Sequence, residues 1–195
     1  MRSPVAELLD DLAAGLARLG IAWYVFGARA AILYGVARLT ADVDVTVRLP
    51  EGTSNEMLVA GLQPHHFRAR IVDPDFIERT RVMPFVHAAT SLPLDLVMAG
   101  PGLEERFFSR AGVRVIEGTT VPVASAEDII VMKLLAGRPK DVEDVVAIAA
   151  SQGERLDIAY IRQTLHELEQ ALSQSDLVPA FEQALTRSRR ARPLT

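Results

Sequence analysis

Asp42 and Asp44 stand two residues apart in DVDVTV (42–47), and Asp95 sits among leucines in LPLDLVM (92–98). In an extended chain, alternation sends Val43, Val45 and Val47 to one face and Asp42, Asp44 and Thr46 to the other. Leu94 and Leu96 alternate against Asp95 in the same way. A carboxylate resists burial unless something pairs with it, and two carboxylates at this spacing repel unless a cation lies between them. Three aspartates on one sheet face would supply the hard oxygen ligands that a pair of Mg²⁺ ions requires, with positions left open for substrate phosphates. Solvated acids at strand ends are the alternative.

Such a face needs elements to position it. IAWYVF (21–26) reads as a buried strand, followed by a glycine turn and a short helix over GARAAILYG (27–35). Gly27 would let a phosphate approach the backbone closely, with N–H groups as donors. Before the strand, Ser3-Pro4 caps a leucine-spaced helix that stops at Gly20. Residues 54–63 read as a helix and FRARIV (67–72) as a strand. MPFVHAA and LPLDLVM form a hairpin, residues 102–111 a short helix, and VRVI and VPVA short strands. From Ser125 the texture turns helical, with helices in SAEDIIVMKLLAG, KDVEDVVAIAAS, LDIAYIRQTLHELEQALSQ and 176–190. The expected organisation is a core over 1–124 and a helical region over 125–195 packed on it.

The 195 residues are about half apolar, carry a net charge of −4 and contain no cysteine. Disulfides, thiolate metal sites and a cysteine nucleophile are thereby excluded, and a reducing cytoplasm is the expected location. Asp10 and Asp11 among the first leucines argue against a signal peptide or membrane span. Net charge gives no general argument for nucleic-acid binding. Arg187, Arg189, Arg190 and Arg192 nevertheless cluster in the tail, as a frayed solvated end or as an RNA- or phosphate-binding extension.

FGARAAILYGVARLTADVDVTV resembles the opening motif of the nucleotidyltransferase-fold superfamily, a small-residue turn followed by a DxD strand. The run of Gly35, Arg38, Thr40, Asp42 and Asp44 is similar to that of the AbiEii-like and related minimal nucleotidyltransferases, many of them toxins of toxin–antitoxin pairs. PVASAEDIIVMKLLAGRPKDVEDV continues the likeness, which covers roughly residues 20–150. The resemblance implies an α+β, polymerase-beta-like fold, a mixed sheet flanked by helices. It implies Mg²⁺- or Mn²⁺-dependent transfer of a nucleoside monophosphate from an NTP to an acceptor hydroxyl.

Carried over by residue, Asp42, Asp44 and Asp95 would be the metal ligands and catalytic acids, with Asp95 activating the acceptor. Gly27 and Ala28 would contact the β- and γ-phosphates, and Lys133 would point at the triphosphate. Many members have Gly-Ser or Gly-Gly where this chain has Gly27-Ala28, so a serine hydroxyl is missing while backbone donors remain. Lys133 could instead snorkel from an apolar helix. Arg38 could touch phosphate or pair with a nearby aspartate. Asp141 and Asp144 read as structural and Lys140 is left open. His87 reads as a satisfied, partly buried histidine, His65-His66 lack a second cluster for zinc, and Trp23 and Tyr24 read as core and sheet edge.

The acceptor could be a tRNA 3′ end or a protein, in a toxin or phage-defence role with a cognate antitoxin, or a small molecule such as an aminoglycoside. A catalytically silent nucleotide-binding or antitoxin module of the same fold is the alternative from another class.

Overall fold

Side-chain caps define the first helix, α1 (Pro4–Arg18): Ser3 Oγ accepts from the Ala6 N–H at 3.1 Å, and Pro4 occupies the first turn. The computed structural model describes residues 2–191. After α1 the chain runs through β1 (Ala22–Phe26), α2 (Gly27–Leu33), β2 (Val43–Arg48), α3 (Asn55–Leu62), β3 (Phe67–Ala69), α4 (Pro74–Thr80), β4 (Val82–His87) and β5 (Pro93–Met98). It continues through α5 (Leu103–Arg110), β6 (Gly112–Ile116), β7 (Thr119–Val123), α6 (Ala126–Ala136), α7 (Pro139–Gln152), α8 (Ile158–Leu172) and α9 (Leu177–Ala191). Two compact units result. One holds the chain up to Arg29 with Thr40–Ala124, the other Ala30–Leu39 with the chain from Ser125 onward.

The first unit contains a seven-stranded mixed sheet of order β3-β4-β5-β2-β1-β7-β6. β2 pairs antiparallel with β1 and parallel with β5, and β1 pairs parallel with β7. Val43, Val45 and Val47 are fully buried, as are Leu94 and Leu96 on the neighbouring strand and Phe85 beyond them. Against this apolar side lie α1 and α3, which bury Leu8, Leu9, Leu12, Leu58 and Leu62. On the other side Tyr24 is covered by α5, its ring 4.8 Å from that of Phe108, edge on. The fold is thus α+β, a mixed sheet flanked by helices with a helical C-terminal region.

His87 is fully buried and satisfied on both nitrogens, by Thr90 Oγ1 at 2.8 Å and by Asp11 Oδ2 at 3.0 Å. Trp23 and Tyr24 lie on β1, in the interior of the sheet and not at the expected edge. The strand expected over 67–72 ends at Ala69, because Asp73 caps α4 through the Asp75 N–H and Pro74 opens it. Sequence reading contained no α4.

In the second unit, Ser125 caps α6 through the Asp128 N–H and Gly137, at φ +63, closes it. The helices α6 to α9 bury Ile130, Val145, Ile148, Ile161, Leu165 and Phe181. The first part of the tail, through 191, is helix α9, and Arg187 pairs with Glu143 at 2.7 Å. Arg192 lies outside the described residues. Among the described residues, no helix is long and apolar enough to cross a membrane.

Candidate active site

β1 passes into α2 with no intervening linker: Phe26 ends the strand and Gly27 begins the helix at φ +66. Phe26 stands opposite Asp44 on β2, and Asp44 opposite Asp95 on β5. A β-carbon on Gly27 would lie 2.0 Å from Asp44 Oδ2. Glycine is therefore required twice here, for the backbone angle and for the approach of the carboxylate. Ala28 is buried behind the turn.

Asp44 and Asp95 are half-buried and abreast on adjacent strands, with the same face outward. Asp42 lies one residue before β2 and is exposed. Burial pushes the Asp95 carboxyl above the ordinary carboxylate range; the Arg70 charge pulls it back and the Asp42 charge adds to the rise. Among the described residues, no three His, Asp or Glu side chains are gathered closely enough to form a metal cluster. The donor chemistry of Asp44 and Asp95, two carboxylates in register on adjacent strands, nevertheless suits a divalent cation with oxygen ligands.

Arg29 was not foreseen from sequence. Its guanidinium donates to Glu117 Oε1 at 2.8 Å and to the Thr40 carbonyl at 2.6 Å. It thereby ties the start of α2 to the β6–β7 turn and to the segment that delivers Asp42. No local pattern announces it, because both partners come from distant sequence. Arg70 was also missed, although FRARIV places it at alternate spacing with Arg68.

Arg38 and Lys133 belong to the second unit and meet there through Asp144. Asp144 Oδ2 accepts from Arg38 at 2.9 Å and from Lys133 Nζ at 2.5 Å, and Asp141 Oδ1 accepts from Lys133 at 3.1 Å. Arg138 also donates to Asp141. Burial works against the charge on Asp141, but the hydrogen bonds and charges of Arg138 and Lys133 outweigh it and hold its carboxyl below the usual range. Lys133 is buried and does not snorkel. Arg38 is paired with an aspartate far along the chain and not with Asp42 or Asp44. Lys140 is exposed.

The mixed sheet with a glycine turn beside Asp44 and Asp95 belongs to a nucleotidyltransferase, the class that the family match shows. The chain belongs to the family described as nucleotidyltransferase of unknown function (DUF6036), whose model matches residues 19–188. No curated protein matches the sequence. Among solved structures, the solution structure of the antibiotic-resistance factor ANT(2″)-Ia shares 18% identity at a TM-score of 0.60, over 89% of this chain and 97% of that one. A crystal structure of ANT(2″)-Ia in complex with adenylyl-2″-tobramycin aligns at a TM-score of 0.57 and 18% identity, over 85% of this chain and 98% of the other. An antigenic nucleotidyltransferase-like protein from Paracoccidioides brasiliensis aligns at 0.54 and 17% identity, over 95% and 94%. At these identities the likeness is one of fold.

Proposed function

We propose that the protein transfers a nucleoside monophosphate from an NTP to an acceptor hydroxyl, with Asp42, Asp44 and Asp95 as its acidic centre. The observation that carries this reading is the pairing of Asp44 with Asp95 on adjacent strands, with Gly27 at the end of β1 packed against the Asp44 carboxylate. Asp42, Asp44 and Asp95 would hold a divalent cation, Mg²⁺ or Mn²⁺, which would supply Lewis-acid polarisation of the phosphates. The backbone at Gly27 and Ala28, where β1 turns into α2, receives the β- and γ-phosphates through its N–H groups. Asp95 takes the proton of the acceptor hydroxyl as its oxygen bonds to the α-phosphorus, and the bond from that phosphorus to pyrophosphate breaks. The reading asks no substrate contact of Arg38 or Lys133, whose charges are already matched.

The test is calorimetric titration with Mg²⁺-NTP, alongside label transfer from α-labelled NTPs. Asp42→Ala/Asp44→Ala is expected to stay folded, lose metal-dependent NTP binding and transfer no label. Unchanged binding would sink the acidic centre and favour a silent module of the same fold.

A further inference from the structure

The lateral row of Phe26, Asp44 and Asp95 does not stop at Asp95. Asp95 stands opposite Pro84 on β4, and the Pro84 carbonyl accepts from the Arg70 N–H at 2.8 Å where the chain leaves β3. Arg68 stands opposite Val86, two residues before Arg70 and on the same face. Both arginines are exposed, and neither guanidinium has a hydrogen-bond or ion-pair partner among the described residues. The apolar side of the sheet is left to Phe67, Phe85 and His87, all fully buried.

We infer that Arg70, with Arg68, is the acceptor-side anion contact of this site, and that the acceptor is an RNA 3′ end. The inference rests on the transferase reading above and names its substrate. Neighbouring strands lie about 4.8 Å apart, so Arg70 stands two spacings, roughly 10 Å, from Asp95. From β1, where the Gly27 turn receives the triphosphate, it stands four spacings away, roughly 19 Å. The arginines therefore lie beyond the carboxylate that activates the acceptor, on the side of it away from the phosphate turn. A polycationic aminoglycoside would meet two unpaired positive charges here. A phosphate chain would meet two forked donors suited to bidentate contact. Their spacing along the strand, roughly 7 Å, suits successive phosphates of a polyanion better than one phosphate group. Contacts of this kind position a strand without reading its sequence.

The experiment uses the full chain and a fluorescently labelled RNA oligonucleotide with a free 3′-hydroxyl, followed by anisotropy across a salt series. Arg68→Ala/Arg70→Ala is expected to weaken RNA binding at least tenfold and to lower the slope of log affinity against log salt by about 1.4, at about 0.7 for each lost phosphate contact. Arg68→Lys/Arg70→Lys should restore most of the binding. Arg18→Ala, on the helix behind the opposite face, should change nothing. A wild-type chain that fails to bind RNA, or RNA affinity indifferent to both arginines, overturns the inference.

Label transfer is run in parallel with RNA and with tobramycin as acceptors. Label on RNA, with Arg70→Ala raising the KM for RNA at least tenfold while the KM for NTP holds, supports the inference. Label on tobramycin alone, indifferent to Arg70→Ala, overturns it and leaves the transferase reading standing. Arginine-dependent RNA binding with no label on any acceptor overturns the transferase reading and leaves an anion-binding face without its acceptor role.

Discussion

One carbon added at Gly27 would lie 2.0 Å from Asp44 Oδ2 and 2.7 Å from its Cγ, so the carboxylate would have to turn away from its place beside Asp95. The backbone angle of +66° adds roughly 1–2 kcal/mol of strain for any other residue. Gly27→Ala is therefore expected to lower stability by about that amount in urea denaturation and to weaken Mg²⁺-NTP binding at least tenfold by calorimetry. Binding that survived would mean that the turn does not fix Asp44. At this scale the sequence was most legible where alternation applied: valines and leucines on one face leave Asp44 and Asp95 on the other. Arg29 and Arg70 were illegible because what gives them meaning, the Thr40 carbonyl or the Asp95 row, becomes a neighbour only through folding.

The helices α6 and α7 show the same limit for an element. Capping and stop signals mark both in sequence, yet beyond its acidic first turn α6 is a run of apolar residues interrupted by one buried lysine. Lys133 is matched by Asp141 and Asp144 on α7, and Asp144 also receives Arg38. Removing one member of such a buried cluster leaves the others uncompensated, at a cost of roughly 3–5 kcal/mol. Lys133→Met is expected to lose about that much stability, measured by urea midpoint, in the presence or absence of NTP. Loss of NTP affinity at unchanged stability would instead return Lys133 to the triphosphate role that the family resemblance implies. Lys140, nearby in the same motif, is exposed and stands outside this network.

At the scale of the whole molecule, the buried Asp141 and the half-buried Asp95 move stability with pH in opposite directions. Asp141 is held below its ordinary range, so the stability it confers is complete above the usual carboxylate pKa of about 4 and is lost as pH falls through its depressed value. Asp95 is pushed above its ordinary range, so folding favours its protonated form, and its ionisation at neutral pH costs stability that acid restores. Asp141→Asn should therefore flatten the acid limb of a stability profile taken from pH 7 to about 3, at lower stability in the neutral range. Asp95→Asn should raise stability at neutral pH in the absence of nucleotide while abolishing label transfer. A destabilised Asp95→Asn chain would show that the carboxylate supports the fold and is not strained by it. Such a conflict between a site and its scaffold is expected where function, not packing, chose the residue.

The sequence by itself determined the elements and the acids. Caps, glycine stops and periodicity are local signals, and they placed α1, α3, α6 and the DxD strand to within a residue or two. The family likeness supplied the class of fold. Tertiary structure alone decided which charges meet: it set Asp95 beside Asp44, gave Lys133 and Arg38 a common partner in Asp144, and ran the row from Asp44 through Asp95 out to Arg70. The physical reason is that strand register and helix packing bring together residues tens of positions apart, and a charge takes its role from its neighbours in space.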